Sequence, residues 1–580
     1  MNRDRDRFID GIIARMSLEQ KVGGCLIMDW MGTVVPPYVH RLLKEFHLSG
    51  LRVDTTIRGK ASYVDNAKTE EQRRQLSRGN RVPRGVCRDF LPNLPAPQCS
   101  PGQYAAMGNS LRKLALQRPL GIPLHLTLDQ EGNGNENFTL GDMRLFPSQM
   151  GLAASGDEEL VYRASNALAR QLRAAGINWI HSPVLDVNTN PANPEINTRS
   201  FSDDPEKVAR FSLAMLRGFA DAKLIATAKH FPGRGESAVD AHHGLPVIDI
   251  CREELMDKHV RPYRKLIEAG LPAVMTAHTV YPALDPDEPA TLSKKILTDL
   301  LRHELGFEGV VTSDNMTMGG IVARYEVPEA CVKALNAGVD LLLIRSESPL
   351  CEDVFCTMLS AARDGQISEQ RLDEANRRIL RVKYDYGLFD DGGIVDPAAA
   401  AVPQHEESVV RIEREAAQKA TLLRDENGIL PLRPETRVLL VELVHATHLL
   451  INSAECHPSI FWEKLLQHSQ NVFSVEIDQP GEVAKTRILR RLEEADVVVV
   501  TNWVNRRSDQ DISAFIRDLR AQTSKPIVLV TNSPYEFGAP ADFGTVLNLF
   551  CANPASLEVA TDILYGKRVA EGVPPVSRVR

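Results

Sequence analysis

The sequence predicts an α/β protein in which a (β/α)₈ (TIM-type) barrel is followed by a smaller α/β sandwich domain. Three observations predict it. Short β-branched runs alternate with longer helical patterns from residue 11 to about residue 390, eight of these runs read as strands, and the pattern changes near residue 387. Strand–helix alternation implies parallel strands joined by helical crossovers, and eight repeats over this length fit a closed barrel better than an open sheet.

Ser17-Leu18-Glu19-Gln20 is a capping-box pattern and predicts the start of the first helix. The eight predicted barrel strands are 24–28, 50–53, 123–129, 177–184, 224–229, 273–278, 309–314 and 339–344. Helical patterns separate many of them, at 157–175, 205–221, 252–268, 295–304 and 369–386. The predicted barrel domain is therefore 1–390.

An Ala- and Pro-rich stretch at 391–403 is expected to be a linker. It leads into a second domain, 404–580, with a helix at 406–419 and buried strands at 437–443, 497–501, 527–531 and 546–550. The barrel contains one long insertion, 54–99, which is polar and rich in Arg, Asn and Pro. Such a loop is either a solvated surface excursion or a lid or subunit contact.

Composition excludes several classes of protein. The 580 residues are 43% hydrophobic and 25% charged, which is enough apolar material for a packed core, and no apolar run is long enough for a transmembrane helix. Lys and Arg total 68 against 76 Asp and Glu, a balance that argues against a nucleic-acid partner. A charged start without an apolar segment and nine scattered cysteines without a CxxC pair favour a cytoplasmic location with no membrane partner.

Polar side chains follow the predicted barrel strands at the point where each strand ends. They are Asp129 and Glu131 after the third strand, Asp186, Asn188 and Arg199 after the fourth, Lys229 and His230 at the fifth, His278 at the sixth and Asp314 at the seventh. In a barrel these positions share one mouth, where the active site lies. Convergent charge in a cavity is a signal of a functional site, because unpaired buried ions are costly.

Asp314 ends an apolar strand and is therefore held on a rigid element. A carboxylate preorganised in this way attacks an electrophilic carbon or stabilises a cation. The same residue type also caps helices, so the strand-end position by itself leaves nucleophile and helix N-cap open.

Asp240-Ala241-His242 lies on a Gly-rich loop after the fifth strand. A carboxylate two residues before a histidine accepts its ring N–H, fixes the tautomer and leaves the other nitrogen for proton transfer. The triplet alone is a weak signal, since surface histidines are common. Glu236 and His243 are competing candidates in the same loop, although spacing favours a solvated carboxylate and a packing histidine.

Lys229 has an alternative role. A strand-end lysine forms a Schiff base in barrel aldolases, which would make the protein a lyase. The adjacent His230, together with Arg199 and Asp129, fits a set that holds hydroxyl groups better.

These residues lie in segments that resemble glycoside hydrolase family 3, in its β-N-acetylglucosaminidase branch. KHFPGRGESAVDAHHGLP at 229–246 is similar to the signature of that branch, KHFPGHG followed by a DxH dyad. LDQEG at 128–132, SPVLDVNTNPANPEINTRSFSDDP at 182–205 and PATLSKKILTDLLRHELGFEGVVTSDNM at 289–316 resemble family segments in the same order. The resemblance covers about 10–390 and extends more weakly into the second domain.

The resemblance implies a retaining exo-β-N-acetylglucosaminidase without metal or organic cofactor. Asp314 would be the nucleophile, His242 the acid/base and Asp240 its dyad partner. The residues expected to hold the terminal sugar are Asp129, Arg199, Lys229, His230 and, more weakly, Asn188. The expected substrate is a small oligosaccharide or a muropeptide-type fragment from peptidoglycan or chitin, and a homo-oligomer is possible.

Other activities stay open. Once it has given up its proton, a histidine acid/base does not repel an anion, so phosphate could replace water in a β-glycoside phosphorylase. A glycosidase for terminal glucose or xylose and a catalytically silent sugar-binding protein are further alternatives. The DxH loop is expected to move and to complete the site only on binding.

Three departures from the family pattern bear on sugar preference. Asn137 stands where the family has a sugar-holding Arg, and Arg144 from the next loop is a candidate substitute. Arg234 replaces the second His of the signature, and Asn315-Met316 follow the predicted nucleophile. In the second domain His445, His448, Cys456 and His457 fit no zinc spacing and are expected to be ordinary surface residues.

Overall fold

The computed structural model describes residues 3–55, 99–133, 135–242, 244–345, 349–443, 458–477, 480–504, 513–535 and 541–577. Nearly all of the predicted insertion 54–99 lies outside the described residues. So do four histidines and one cysteine that the sequence singled out: His243, His445, His448, Cys456 and His457.

The first sheet is a closed barrel of eight parallel strands, in which each strand pairs with the next and β1 pairs with β8. The strands are β1 Leu26–Met31, β2 Gly50–Asp54, β3 His125–Leu128, β4 Trp179–Ile180, β5 Ile225–Phe231, β6 Ala273–Thr276, β7 Val310–Asn315 and β8 Leu341–Ile344. The predicted (β/α)₈ barrel is confirmed. Its interior is filled by buried apolar side chains, among them Ile27, Trp179 and Ile225.

Helices surround the barrel, and several of them begin at a residue whose side chain caps them. Ser17 and Gln20 form the predicted capping box, and Ser100 with Gln103 forms a second one. The longer α-helices of this part are Arg3–Ile13, Pro37–Glu45, Pro101–Leu116, Glu158–Ala174, Pro205–Asp221, Arg261–Glu268, Val327–Ala337, Leu350–Arg363 and Glu369–Asp385. Two segments, Leu255–Val260 and Lys295–Glu304, are π-helical. Shorter ones are Leu18–Gly24, Gln149–Ala154, Arg252–Glu254, Gly319–Val322 and Leu388–Asp391.

The fourth strand is much shorter than the predicted 177–184. Pro183 has no backbone N–H and cannot take part as a donor in the ladder. The chain returns to the sheet at Val184, which forms a single parallel bridge with Lys229. The segment after β4 is thereby kept beside β5, where the lysine of the site lies.

The second sheet has six strands in the order β11-β10-β12-β13-β14-β9, and β9 alone runs antiparallel to its neighbour. The strands are β9 Leu422–Asp425, β10 Val438–Leu443, β11 Val472–Ile477, β12 Val497–Asn502, β13 Ile527–Thr531 and β14 Thr545–Asn548. The helices are Glu407–Ala420, Pro458–Leu466, Glu482–Leu492, Ser513–Ala521 and Pro554–Leu564, and apolar clusters cover both faces of the sheet. The predicted α/β sandwich is confirmed.

Two strands of this sheet, β9 and β11, were not predicted from the sequence. Both lie at the edges of the sheet: the residues of β9 are all partly or fully exposed, and β11 mixes buried with exposed residues. A short half-exposed segment carries a weaker strand signal than a fully buried apolar run. None of the helices in the described part of the chain combines the length and apolar character that a membrane crossing requires.

Candidate active site

The carboxyl ends of the barrel strands gather most of the predicted site residues at one mouth. Asp129 directly follows β3, Lys229 and His230 lie near the end of β5, and Asp314 is the next-to-last residue of β7. Lys229 Nζ is 2.7 Å from Asp129 Oδ1, and His230 Nε2 is 3.8 Å from Asp314 Oδ2. The barrel thus brings together residues that are up to 185 positions apart in the chain.

Asp314 is held as an ionised carboxylate. Its Oδ1 accepts a hydrogen bond of 2.7 Å from the Asn315 backbone, and the Arg234 guanidinium lies 3.6 Å from Oδ2. Burial alone would raise the pKa of this carboxyl, but the charges of Arg234, His278 and His242 outweigh it and lower the pKa to about 2. The side chain keeps 15% of its surface exposed toward the mouth, so it is accessible to a small ligand.

His230 and Asp186 form a buried pair beside Asp314. His230 Nδ1 and Asp186 Oδ2 are 2.6 Å apart, and Asp186 Oδ1 accepts from the Arg234 backbone at 2.7 Å. Burial raises the pKa of Asp186 to about 6 and lowers the pKa of His230 well below its usual value. Burial thus disfavours the charged form of each of these two groups.

The predicted DxH dyad is formed. Asp240 Oδ1 lies 2.7 Å from His242 Nδ1 and also accepts from the His242 backbone N–H at 2.8 Å. This contact fixes the imidazole so that Nε2 is the nitrogen for proton exchange. The His242 side chain is 31% exposed, so its ring is accessible from the mouth of the barrel.

The DxH loop is anchored on both sides through Ala241. The Gly320 backbone, just after β7, donates to the Ala241 carbonyl at 2.9 Å, and the Ala241 N–H points to Glu195 Oε2 at 3.4 Å. Two hydrogen bonds therefore hold Ala241 against the barrel in this structure, and movement of the loop on binding stays a prediction.

Glu195 and Arg234 are a buried ion pair that sequence reasoning did not assign to the site. Arg234 Nη2 donates to Glu195 Oε1 at 2.7 Å, and His242 Nδ1 lies 3.4 Å from the same oxygen. The pair connects the segment after β4 to the DxH loop and to Asp314. Glu195 is the one acidic residue in the Asn-rich segment NPEINTRSF at 193–201, and this was the available signal, since buried charge requires a partner.

A second group of charges surrounds Lys229. Its ammonium contacts Asp129 and Glu131, and Glu131 accepts two hydrogen bonds from Arg199, at 2.7 and 3.1 Å. Burial would raise the pKa values of both carboxyls, but Lys229, Arg199 and Arg52 reverse this. The pKa of Asp129 is held well below its usual range and that of Glu131 at about 2.

Arg52 on β2 supplies a guanidinium near the position where the family has another Arg. Its Nη2 donates to Asp129 Oδ2 and to Asn137 Oδ1, both at 2.8 Å, and Asn137 Nδ2 donates to Asp54 at 3.0 Å. Sequence reasoning missed Arg52, although an Arg inside a predicted buried strand is itself a signal of a buried partner. Arg144, the suggested substitute, points instead to Gln404 O and Glu413, so that suggestion is wrong.

Three further predicted residues have contacts of other kinds. Asn188 is buried and donates through Nδ2 to the Tyr535 hydroxyl of the second domain at 2.7 Å, so its role in sugar binding stays a prediction. Glu236 accepts from the Thr189 hydroxyl at the rim of the loop. His278 is buried between Thr291 and the Asn315 carbonyl, at 2.8 and 2.9 Å, and supports the backbone next to Asp314.

One group of described residues has the spacing of possible metal ligands, namely Glu195, Asp240 and His242, whose ligand atoms lie within 4.8 Å of one another. Each of them already has a hydrogen-bonding partner in Arg234, the Ala241 backbone or the dyad itself. These contacts explain the cluster without an ion.

A (β/α)₈ barrel that presents an ionised carboxylate and an imidazole–carboxylate dyad at its mouth is the arrangement of a glycoside hydrolase. Comparison with known proteins gives the family. Residues 100–382 match the model described as the glycosyl hydrolase family 3 N terminal domain. A β-N-acetylglucosaminidase/β-glucosidase of Cellulomonas fimi is 31% identical over 482 residues, which is 80% of this chain and 85% of that protein. The chain belongs to glycosyl hydrolase family 3.

Two other relatives agree with this assignment. Beta-hexosaminidase A of Pseudoalteromonas piscicida is 31% identical over 358 residues, and the match spans 58% of this chain and 59% of that protein. The solved structure of a family 3 β-N-acetylglucosaminidase from Paenibacillus sp. str. FPU-7 superposes with a TM-score of 0.81 at 28% identity. That superposition covers 97% of this chain and 99% of the Paenibacillus chain, so both domains are shared.

Proposed function

We propose that this protein is a retaining exo-β-N-acetylglucosaminidase that removes terminal β-linked N-acetylglucosamine, with Asp314 as nucleophile and His242 as acid/base. The observation that carries the proposal is the placement of an ionised Asp314 at the barrel mouth beside an anchored Asp240–His242 dyad. The names of the relatives support the choice of sugar.

In the first step, the Asp314 carboxylate attacks the anomeric carbon while His242 Nε2–H gives its proton to the departing glycosidic oxygen. The C1–O bond breaks and a glycosyl-enzyme ester forms on Asp314. Asp240 carries the negative charge that stabilises the imidazole while it is protonated. Because Asp314 stays ionised down to a pH of about 2, it is ready to attack at any physiological pH.

In the second step, His242 takes a proton from water, and the water oxygen attacks C1 and releases Asp314. Two displacements at one carbon retain the β configuration. The charges around Lys229 account for recognition of the sugar, since an ammonium, a guanidinium and carboxylates at fixed positions bind hydroxyl groups as donors and acceptors. Asp129, Arg199, Lys229 and His230 are the residues proposed to make these contacts.

A β-glycoside phosphorylase is the second candidate, and one observation favours it. The acid/base is an imidazole, which is uncharged after its proton has left, and Arg234 provides a fixed positive charge 3.6 Å from Asp314. Phosphate would meet less repulsion here than at a site with two carboxylates. For the N-acetylglucosaminidase proposed above, we also propose substrates derived from peptidoglycan or chitin and a cytoplasmic location.

The test is a panel of nitrophenyl β-glycosides of N-acetylglucosamine, glucose and xylose, each with and without phosphate. The proposal expects fastest release from the N-acetylglucosaminide and β-N-acetylglucosamine as the first product seen by NMR. Faster turnover with phosphate and formation of a sugar-1-phosphate would establish the phosphorylase. Sugar binding without turnover of any glycoside would establish a silent binding protein.

Asp314→Asn is the control for the chemical step. Removal of the nucleophile is expected to lower kcat by about 10³-fold or more while the sugar still binds. An Asp314→Asn protein with near wild-type turnover would exclude the glycosyl-enzyme ester at this residue.

A further inference from the structure

The loop that follows β13 in the second domain reaches the barrel beside the candidate active site. It contains Asn532, Ser533 and Tyr535, all of them buried. Each makes a hydrogen bond to a different asparagine of the barrel: Asn133, Asn197 and Asn188. The barrel asparagines lie on the segments that follow β3 and β4, which also carry Glu131 and Arg199.

Asn532 joins the two barrel segments to the second domain. Its Nδ2 donates to Asn133 Oδ1 at 2.6 Å, and Asn133 Nδ2 donates in turn to the Thr198 hydroxyl at 2.8 Å. Asn133 has a backbone φ of +52°, in the left-handed region that Asn adopts more readily than most residues with a side chain. The contact from Asn532 holds its side chain in place in this conformation.

Ser533 repeats the pattern on the second segment. Its hydroxyl donates to Asn197 Oδ1 at 3.2 Å, and Asn197 has a φ of +43° at the start of the turn Asn197–Arg199. Both barrel segments are thus held in unusual backbone conformations where the second domain contacts them.

The two constrained asparagines flank the ion pair of the site. Asn133 is two residues after Glu131, and Asn197 is two residues before Arg199. Glu131 and Arg199 make a two-point contact that also orients Lys229 through Glu131. A shift of either segment would displace one partner of this pair.

We propose that the loop Asn532–Tyr535 is a positioning element for the Glu131–Arg199 pair, so that the second domain sets the affinity of the barrel for the terminal sugar. This inference rests on the proposed function, in which Arg199 contacts the sugar. Because the proposed acid/base lies in the barrel itself, the role proposed for the second domain is to position residues that bind the sugar. Asn532 and Ser533 act through Asn133 and Asn197 and are positioning residues.

The expected signature is a change in KM rather than in kcat. A uniform loss of sugar binding raises KM and leaves the chemical step intact, because Asp314 lies on β7 and the Gly320 backbone N–H holds the DxH loop at Ala241, and neither contact involves the two barrel segments. Asn532→Ala is expected to raise KM for the N-acetylglucosaminide about tenfold, with kcat within about threefold and an unchanged pH profile. Ser533→Ala, a milder change that is expected to fold, should raise KM about threefold.

The matched control is Arg163→Gln. Arg163, on the outer barrel helix Glu158–Ala174, makes a two-point ion pair with Glu415 of helix Glu407–Ala420 at 2.9 Å. This change removes a contact between the same two parts of the chain on the outside of the barrel, and KM should stay at the wild-type value. An Arg199→Lys background provides a second check, since Asn532→Ala should add little to KM once Arg199 is altered.

The outcomes separate the inference from the proposed function. A wild-type protein that hydrolyses none of the glycosides overturns the proposed function and the inference together. An active wild type whose folded Asn532→Ala and Ser533→Ala variants keep the normal KM overturns the inference alone. Equal increases in KM for Arg163→Gln and Asn532→Ala also overturn it, because they would reflect a general loosening of the two domains.

Discussion

At the scale of single residues, the protonation state of each buried carboxyl follows from its nearest cation. Asp314, Asp129 and Glu131 each face a guanidinium or an ammonium, and their pKa values are lowered despite burial. Burial raises the pKa of Asp186 to about 6, because the charges of Arg234 and Arg199 do not offset it. One mouth thus holds carboxylates with lowered pKa values next to a carboxyl whose pKa is raised.

Asp240→Asn tests the dyad. The substitution removes the charge that stabilises the protonated His242 but keeps the side-chain shape, so kcat is expected to fall about 10²-fold or more with little change in Tm. Steady-state kinetics and thermal unfolding measure the two effects. Glu236 is another carboxylate in the same loop, so Glu236→Gln is the control and should retain wild-type kcat. Equal losses of kcat for both variants would contradict a specific role of Asp240 as the partner of His242.

Glu442 predicts a pH dependence of stability in the second domain. It is buried on β10 opposite Glu476, and burial together with that neighbouring charge raises its pKa from 4.5 to about 9. Between these values the folded state binds a proton that the unfolded state has released. The free energy of unfolding should therefore fall as pH rises through this window.

Glu442→Gln should remove that slope. Thermal unfolding from pH 5 to pH 9 is the measurement, and the variant should gain stability relative to wild type as pH rises. Glu435→Gln, at an exposed position, is the control and should follow the wild-type curve. A difference between Glu442→Gln and wild type that stays constant with pH would contradict the raised pKa.

At the scale of elements, close backbone approach places the DxH loop. A Cβ on Gly235 would lie 1.8 Å from the Val187 carbonyl oxygen, so only glycine lets the segment after β5 pack against the segment after β4. Gly244, in the same loop, would bring a Cβ no nearer than 3.9 Å to Val239. Close packing therefore requires glycine at position 235 but not at position 244.

Gly235→Ala should displace the loop that carries Arg234 and the dyad, with a loss of kcat of about tenfold or more and a lower Tm. Gly244→Ala should leave both close to wild type, because the added methyl group meets open space. Kinetics and thermal unfolding of the pair are the measurement. The packing argument is wrong if Gly235→Ala behaves like Gly244→Ala.

At the scale of the whole molecule, the two domains are joined by polar contacts that are spread over a wide surface. Lys419 pairs with Asp157 at 2.9 Å, Asn553 donates to the Leu145 carbonyl at 2.8 Å, and Ser202 donates to the Pro575 carbonyl at 2.6 Å. These contacts lie on different barrel segments, so the interface restrains the second domain at several points.

Asn553 tests whether this interface makes unfolding cooperative. Its side chain also caps the helix Pro554–Leu564, and Asn553→Ala should cost about 1–2 kcal/mol. Calorimetry should show one transition for the wild type and one for the variant, shifted to lower temperature. Two transitions of which only one moves would mean that the domains unfold independently.

The sequence was sufficient to predict the barrel and the positions of charged residues at the ends of its strands. Asp314, Lys229 and His230 follow or end apolar runs, and Asp240–His242 is a local contact within three residues. Local contacts and strand periodicity are readable along the chain because both depend on near neighbours. The edge strands β9 and β11 were not readable, since their half-exposed patterns carry little signal.

Contacts between residues far apart in the chain could not be predicted from the sequence. Arg52 with Asn137, Arg234 with Glu195, and Asn532 with Asn133 are separated by about 40 to 400 residues. Single residues such as these carry no periodicity, and their partners are chosen only when barrel closure and domain packing bring the segments together. The sequence by itself therefore determined the fold class, because repeated apolar runs fix it, and it predicted the reacting groups through the resemblance to the family. Only the tertiary structure decided which cation holds each carboxylate and which loop of the second domain contacts the site, because those choices depend on distances across the fold.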